Sequence, residues 1–502
     1  MTLSGDPNPA MRSAGTTCLR ALRLAGATVG VAVLAAGLSA QASEAVPVRA
    51  TATAAAPSWP MFRFGSQHTG VQPSESSLTP VTVRALKPLW TATPEVGECI
   101  YSVYLAPAEV GGIVYTGGNY AGAPSAQCSV SPYRLFALKA STGATLWSVS
   151  VGSLGPSVLG LMSVAVADNV VYVVTAAGEL FALDAATGKL LSGWPITPAT
   201  MRPTVKNHAG ATCQAVTSGA GQAVAPLTIA GGQVFYQTTA GCVFDVEASP
   251  GGTPVLEWFF AGSGKVSAGG LTSPAVAYGH VYVGTSDGWV WDLSQATGVP
   301  VWKAAIDTSG GGLVDSSPSV AGPATDAAVY VQASGGKSAG LYHLSAASGT
   351  VVWHDPYGGT SSPAIDRGIV YAESGTHVDA VSAATGKLAW AASIGGTVGL
   401  GSSGFGSSPA IANGVVYVGS TGPGEPSGPC GGFCALSAAT GAKLYADVLP
   451  ASGSTYAGFG SAAVANGWVY DTVDNGGVTI SGLPQTEATG FTVPKSTVAR
   501  RQ

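Results

Sequence analysis

Only 9% of the 502 residues are Asp, Glu, Lys or Arg, and the formal net charge is −5. About a quarter charged is usual for a globular domain. There is no Lys/Arg run or basic stripe of the kind a nucleic-acid partner requires, so nucleic-acid binding is set aside. The 71 glycines stand among Val, Tyr, Trp and Leu that recur in step, a composition of strands and turns and not of disorder.

Residues 1–42 read as a signal peptide. Arg12, Arg20 and Arg23 precede an apolar run, 24–38, that is too short to span a bilayer comfortably. Ala40-Gln41-Ala42 offers a small-residue cleavage site, and Met11 is an alternative start. An uncleaved membrane anchor is the competing reading. Cys18 lies before the apolar run, poorly placed for a lipid anchor. The expectation is a secreted, extracytoplasmic chain with no membrane span after cleavage. Residues 43–58 are rich in Ala, Thr and Pro and read as a linker. Ordered sequence starts at Trp59-Pro60-Met61-Phe62-Arg63, followed by Gln67-His68-Thr69-Gly70. Next, 86–92 (Leu-Lys-Pro-Leu-Trp-Thr-Ala) looks like the end of a repeat whose beginning is missing.

That repeat then fills the chain. Leu183-Asp184-Ala185-Ala186-Thr187-Gly188-Lys189 has relatives ending at Gly143, Gly298, Gly349, Gly386 and Gly441. Four of the six copies carry a Trp four residues after the Gly: Trp147, Trp302, Trp353 and Trp390. Tyr445 takes that place in the last copy, and Trp194 comes two places late. Each unit has four short pieces: a small-residue run (Ser273-Pro274-Ala275), a V-Y-V strand (Val281-Tyr282-Val283), an apolar strand (Val290-Trp291-Asp292-Leu293), then the motif and its Trp strand. Turn residues bound every piece, so four antiparallel strands per unit, a propeller blade, are predicted. The second-strand aromatics Tyr115, Tyr172, Phe235, Tyr282, Tyr330, Tyr371, Tyr417 and Tyr470 count eight blades. The eighth lacks its Trp strand, and the orphan strand around Leu89-Trp90 is expected to supply it and close the ring. The fold class is therefore all-β, an eight-bladed propeller over 59–485 with a tail at 486–502. Trp90, Trp147, Trp302, Trp353 and Trp390 are expected to dock each blade on the next, the Gly taking positive φ. The third unit, with Ser249-Pro250-Gly251-Gly252 in place of the motif and a late Trp258, is expected to be irregular, as is the second.

Beyond Cys18, six cysteines remain: Cys99, Cys128, Cys213, Cys242, Cys430 and Cys434. An even number in an exported chain reads as disulfides, with 15 connectivities open. Neighbour pairing, 99–128, 213–242 and 430–434, is the economical choice. No metal-ligand spacing is present.

The A-x-D-x-x-T-G-K-x-x-W unit, with S-S-P-A-V and V-Y-V-G before it, resembles the pyrroloquinoline-quinone-like (quinoprotein alcohol dehydrogenase-type) propeller repeat over roughly 59–485. The opening W-P-M-F-R…H-T-G is similar to the start of many secreted chains of that kind. The resemblance implies eight blades docked by tryptophans. For enzymes of the family it also implies a quinone over a Trp floor, an adjacent Cys-Cys ring, calcium on Glu, Asn and Asp oxygens, and an Asp base. This chain has no adjacent Cys-Cys and no C-x-x-C-H haem motif. Glu95, Glu98, Asp307, Asp315 and Asp355 are the main acids of the channel-facing loops, and none matches a family ligand by local motif, so no catalytic residue is assigned.

Long insertions at 118–132, 197–222, 392–407 and 420–432 gather on the face of the inter-blade loops, the expected working face, with the cysteines in or beside them. Tyr101, Tyr104, Tyr120, Tyr357, Phe405, Tyr456 and Phe459, with Asp307 and Asp355, are the candidate ligand-binding residues. Plugging of the channel mouth by these aromatics is the alternative. His343, His354 and His377 lack ligand spacing, and 471–476 reads as a hairpin and not a calcium loop. The leading expectation is a monomeric, non-enzymatic binding or scaffold module for an extracellular protein, peptide or glycan, with no cofactor and no metal. The alternatives are a quinone- and calcium-dependent dehydrogenase of alcohols or sugars, and an extracytoplasmic assembly factor.

Overall fold

The computed structural model describes residues 57–482 apart from 93–94, 97–98, 104–105, 121–132, 152–163, 176–177, 198–225, 239–240, 249–252, 263–271, 307–312, 315, 336, 357–358, 395–406, 420–429, 431–432, 448–460 and 474–476. The predicted signal peptide, most of the linker and the tail lie outside the described residues.

The repeated motif is a turn that also serves as a socket. In 183–189 the Asp184 carboxylate accepts hydrogen bonds from the Thr187 N–H at 2.8 Å and its hydroxyl at 2.6 Å. The Gly188 N–H closes the turn on Asp184 O at 2.8 Å. Gly188 has φ +68°, and the equivalent glycines 143, 298, 349, 386 and 441 lie between +67° and +70°. A side chain there would cost about 1–2 kcal/mol. Space is the second constraint. A Cβ on Gly188 would stand 2.8 Å from the Trp147 ring, and one on Gly386 would stand 2.9 Å from Trp353. In both cases the ring belongs to the preceding unit, so glycine is what lets the indole lie flat on the turn.

The strands these turns connect form about eight antiparallel sheets, mostly four-stranded, the organisation of a β-propeller. In the fourth sheet, Ala275–Ala277, His280–Gly284, Trp289–Ser294 and Pro300–Ala305 pair in that order from inner to outer strand. The fifth (Ser319–Ala321, Ala328–Ala333, Gly340–Ser345, Val351–Asp355) and sixth (Ala364–Asp366, Ile369–Ser374, His377–Ser382, Leu388–Ser393) repeat it. A bulge between third and outer strands recurs at one place, as at Asp292/Leu293, His343/Leu344 and Ala380/Val381. Inner strands are almost wholly buried, whereas outer strands other than Val255–Ala261 are mainly exposed or half-buried, so the apolar core lies between adjacent sheets. Tyr282, Val290, Val320 and Val329, for example, pack fourth sheet on fifth.

The second sheet has three strands, Val164–Ala167, Val170–Val174 and Leu180–Asp184; isolated bridges Leu180↔Ile196 and Leu183↔Leu190 replace an outer strand, in accord with the late Trp194. The expected irregularity of the third unit is corrected. Its strands Thr228–Ala230, Gln233–Gln237, Cys242–Glu247 and Val255–Ala261 form a full sheet with the usual bulge. Trp258, left out of the predicted docking set, fills the docking role, because residues inserted in the turn leave the register at Asp245↔Trp258 intact. The last sheet contains Ala463–Ala465, Trp468–Val473, Gly477–Gly482 and, from the other end of the chain, Lys87–Ala92, which pairs antiparallel with Gly477–Gly482.

Candidate functional site

Contacts between sheets come first, because they fix where non-repeating residues can act. Each outer-strand Trp donates its indole N–H to the backbone carbonyl at the start of the next turn. The pairs are Trp90 to Ala140 O (2.9 Å), Trp147 to Ala185 O (2.9 Å), Trp258 to Gln295 O (2.8 Å), Trp302 to Ala346 O (2.8 Å), Trp353 to Ala383 O (2.8 Å) and Trp390 to Ala438 O (3.1 Å). The second-strand tyrosines converge on the same carbonyls: Tyr115 on Ala185 O at 3.2 Å and Tyr371 on Ala438 O at 3.1 Å. These predicted docking residues are thus engaged in joints.

Nearer the inner strands, the S-S-P run makes a belt. The Ser273 N–H donates to Ser317 Oγ (2.9 Å), Ser317 N–H to Ser362 Oγ (3.0 Å), Ser362 N–H to Ser408 Oγ (2.9 Å) and Ser408 N–H to Ser461 Oγ (2.9 Å). One serine per sheet therefore links the fourth to the eighth sheets in sequence, while the serine before it binds the second strand of its own sheet, as Ser361 Oγ accepts from Glu373 N at 3.0 Å.

Inside the belt lies the N-terminal stretch. From Trp59 to Gln72 it passes the inner strands one after another. Trp59 exchanges both backbone hydrogen bonds with Glu109 of the first sheet at 2.8 Å. Pro60 O accepts from Val166 N, Ser66 O from Val276 N, Gln67 O from Val320 N, Thr69 O from Ile365 N and Gly70 O from Ile411 N, at 2.7–2.9 Å. These N–H groups occupy the same register position in their inner strands, each opposite the residue just before the second-strand aromatic. His68 Nε2 meets Thr228 Oγ1 of the third sheet at 2.9 Å. Val71–Gln72 adds parallel to Ala410–Ala412, and Gln72 Nε2 reaches Val464 O of the last sheet at 3.4 Å. Gln72 Nε2 also donates to Ser58 O, tying the end of this strip to its beginning. The strip satisfies inner-edge groups that would otherwise be buried without partners.

Two of its side chains make the electrostatic centre. Arg63, 2% exposed, donates through Nη1 to Pro409 O and through Nη2 to Pro363 O, the S-S-P carbonyls of the seventh and sixth sheets. Burial lowers its pKa to about 9, still above neutrality, so the guanidinium is charged. Burial, then the Arg63 charge, pushes His68 down to about 3, which keeps its ring neutral. Glu373 of the sixth sheet is fully buried, and both carboxylate oxygens lack a hydrogen-bond partner among the described residues. Burial raises its pKa well above the carboxylate range, opposed by Arg63. Sequence reading recorded Arg63 and His68 as part of an opening motif and missed Glu373. The available signal was an acid two places after Tyr371, in a strand otherwise read as apolar.

The predicted ligand-binding residues are only partly described. Tyr101 and Tyr120, expected in loops, are instead strand residues: they are register partners where Cys99–Val103 pairs with the far end of Ile113–Tyr120, because that hairpin extends the sheet beyond the usual blade. Asp355, buried, ends the outer strand of the fifth sheet opposite Leu341. Tyr104, Asp307, Tyr357, Phe405, Tyr456 and Phe459 lie outside the described residues. Cys430 and Cys434 form the expected disulfide, Cα–Cα 5.2 Å. Cys242 is buried and disulfide-bonded. Cys99 lies in its strand, and Cys128 and Cys213 fall outside the described residues. His343 sits 4.8 Å from Tyr330 and His354 stacks on Tyr342 at 4.2 Å, both on the sheets and not in a shared site.

A protein of such repeats, docked by tryptophan on glycine, is of the pyrroloquinoline-quinone-like propeller class. A family model described as "Outer membrane protein assembly factor BamB" matches residues 131–253, 205–356 and 338–483, which together run over more than half of the chain, and the chain belongs to that family. No curated protein matches it in sequence. Among solved structures it is similar to BamB from Moraxella catarrhalis (TM-score 0.51, 18% identity, 80% of this chain and 99% of that one). It is also similar to the quinohemoprotein alcohol dehydrogenase from Comamonas testosteroni (TM-score 0.59, 16% identity, 88% of this chain and 83% of that one) and to a europium-containing methanol dehydrogenase (TM-score 0.57, 13% identity, 82% and 90%). At these identities the likeness is one of fold.

Of the described residues, Glu373 and the docking tryptophans do not suit the quinone and calcium that the resemblance implies for the enzymes. Calcium takes six to eight oxygens, whereas the buried carboxylate beside the strip, Glu373, shares its surroundings with a guanidinium that opposes a cation. Trp90, Trp147, Trp258, Trp302, Trp353 and Trp390 are committed to sheet joints, so none of them is a floor for a ring. No group of three or more His, Cys, Asp or Glu stands together among the described residues.

Proposed function

We propose that the chain is an extracytoplasmic binding or scaffold module built on an eight-bladed propeller, with its ring closed by the N-terminal strand 87–92 and its ligand site in the top-face loops, with Tyr357 in one of them and the strand residues Tyr101 and Tyr120 beside them. The observation that carries the reading is the strip 59–72, which lies against the inner strands of all eight sheets. A chain that fills its own centre leaves the rim loops as the place for a partner. Pairing of 87–92 with Gly477–Gly482 and docking of Trp90 on the first sheet support closure. Extracytoplasmic location rests on the family and on the leader expected at 1–42; among the described residues no helix is long and apolar enough to cross a membrane. The ligand is an extracellular protein, peptide or glycan.

Two experiments test this. Purified protein titrated with pyrroloquinoline quinone and Ca²⁺, then assayed for dye-linked oxidation of alcohols and aldoses, should show no saturable turnover; turnover would replace the reading with the dehydrogenase. Glycan and peptide arrays should give hits that weaken in Tyr101→Ala or Tyr357→Ala. The family match favours a second reading, an extracytoplasmic assembly factor. That reading predicts co-purification with outer-membrane assembly components from the native envelope, and a glycan-only array profile would count against it.

A further inference from the structure

Most joints between sheets end on the next sheet's turn, through one of two bonds. Either the outer-strand indole or the second-strand tyrosine hydroxyl donates to the carbonyl that opens that turn. The second and third sheets keep the tyrosine bond, Tyr172 Oη to Ala248 O at 3.0 Å. The third and fourth, the fourth and fifth, and the last and first keep the indole bond. The first and second, the fifth and sixth, and the sixth and seventh keep both. The joint between the seventh and last sheets is the exception. In the last sheet the third strand, Gly477–Gly482, and the outer strand, Lys87–Ala92, come from opposite ends of the chain, so no turn connects them. On the seventh sheet Tyr445 occupies the tryptophan place, opposite Ala435, and packs edge-on against Phe433 at 6.4 Å. Tyr417 is fully buried, and its hydroxyl has no hydrogen-bond partner among the described residues.

Segment 73–86, which runs from the end of the strip to the outer strand, covers this joint in place of a turn. Leu78, Val83 and Leu86 are buried in one cluster with Tyr417 and Phe433 of the seventh sheet and Tyr470 of the last. The short helix Thr82–Ala85 packs against the seventh sheet's outer strand, Lys443–Asp447. Internal bonds hold the segment's shape: Thr82 Oγ1 donates to Ser77 O at 2.6 Å, and Thr79 N to Thr82 Oγ1 at 2.8 Å. One carboxyl pins it. Glu75, 5% exposed, accepts through Oε1 from Ser77 N (2.6 Å) and Leu78 N (3.2 Å), and through Oε2 from Gly467 N of the last sheet (2.8 Å). Toward the seventh sheet the polar contact is longer, Asn413 Nδ2 to Ser76 O at 3.4 Å. We infer that the joint between the seventh and last sheets is the seam at which the ring opens, and that segment 73–86 is the clasp that holds it shut, pinned by Glu75. The inference rests on closure of the ring by 87–92. A joint bonded to a turn opens only with loss of a buried hydrogen bond. At the seam that bond is absent, and the shut state depends on an apolar wedge and one carboxyl, so local opening concentrates there.

The test is hydrogen–deuterium exchange of the whole chain, read peptide by peptide by mass spectrometry. In the parent, the second strands flanking the seam, 415–419 and 468–473, should exchange before the equivalent strands of the fifth and sixth sheets, 328–333 and 369–374. Equal protection of all four would overturn the seam. An amide has a single accepting oxygen and cannot hold both Ser77 and Gly467. Glu75→Gln should therefore speed exchange at 415–419 and 468–473 by roughly tenfold, as for one lost hydrogen bond, and leave 328–333 and 369–374 unchanged. Acceleration spread evenly over all four strands, or none, would overturn the clasp. The parent measurement decides on the seam whether or not Glu75→Gln folds. Strand 87–92 reports separately on closure: it should be protected in the parent, and immediate exchange there would remove the closed ring and the seam with it.

Discussion

The glycine-on-tryptophan joint can be tested within one sheet. Gly386 and Gly368 both belong to the sixth sheet and both have positive φ, +70° and +78°. A Cβ on Gly368 would meet nothing within 4 Å, while one on Gly386 would stand 2.9 Å from Trp353 Cδ2 and 3.0 Å from Cε3. Gly368→Ala therefore carries the left-handed backbone cost alone, about 1–2 kcal/mol. Gly386→Ala adds overpacking against the indole, about 1–3 kcal/mol. If the ring tilts away it also loses the 2.8 Å bond from Trp353 Nε1 to Ala383 O, about 1 kcal/mol. The expected order in denaturant unfolding is Gly386→Ala worse than Gly368→Ala by about 2 kcal/mol. In a Trp353→Ala background the clash is gone, so Gly386→Ala should fall back to the cost of Gly368→Ala, a coupling readable in a double-mutant cycle. Equal costs for the two alanines in the parent, or additivity in the cycle, would refute the view that these glycines are kept for the neighbouring ring.

The remaining predictions concern the joint between last and first sheets, and the cysteines. Glu109, fully buried, accepts from Gly112 N at 2.8 Å and lies 3.4 Å from Asn466 Nδ2 of the last sheet. Burial pushes its pKa up to about 7, against the pull of those two hydrogen bonds. A raised carboxyl pKa means that the folded state holds the proton more tightly. Stability is therefore greatest at and below the unfolded pKa near 4.5 and falls by about 1.4 kcal/mol per pH unit until about pH 7. Glu109→Gln should be neutral at pH 4 and stabilising by about 3 kcal/mol at pH 8 in urea unfolding; a pH-independent difference would contradict this. Trp90→Ala should cost on the order of 2–3 kcal/mol, because a half-buried docking ring loses less than a fully buried one; a change below about 0.5 kcal/mol would mean that 87–92 is a dispensable tail. Peptide mapping without reduction should join Cys430 to Cys434, and free thiols there would reject the pairing.

The fold was legible because its joints repeat. Gly188 and Gly386 announce a turn, and the Trp four places after most of them announces what lies on the neighbouring turn, so unit boundaries and strand order followed from spacing alone. Reading failed where register and spacing part company. Trp258 seemed misplaced because residues inserted in its turn shift it along the sequence, yet the turn absorbs them and leaves Trp258 in the docking register opposite Asp245. The strip 59–72 was not legible as a structural element. It has no strand periodicity, because its backbone serves a different sheet every residue or two, and hydrogen bonding of that kind leaves no hydrophobic pattern. Arg63 and Glu373 were missed for a related reason: a buried charge is recognised by what surrounds it, and their surroundings come from residues some 300 positions apart in the chain.

Repetition also limits where function can lie. Eight near-equivalent sheets offer eight near-equivalent surfaces, so specificity has to come from whatever makes them unequal. The strip breaks the equivalence first: a single strand of chain presents Arg63 to the sixth and seventh sheets and His68 to the third. The level of Gln237, Gln332, Glu373 and Thr472 breaks it a second time, with glycine or valine at the same position elsewhere: Gly117, Val174, Gly284 and Gly419. Both asymmetries converge on the joint between the sixth and seventh sheets, where Arg63 binds two carbonyls and the buried Glu373 carboxyl stands at the glutamine position with no hydrogen-bond partner. That joint is also bounded by the Cys430–Cys434 disulfide, whose two cysteines pack in the same apolar cluster as Tyr371 and Ile411.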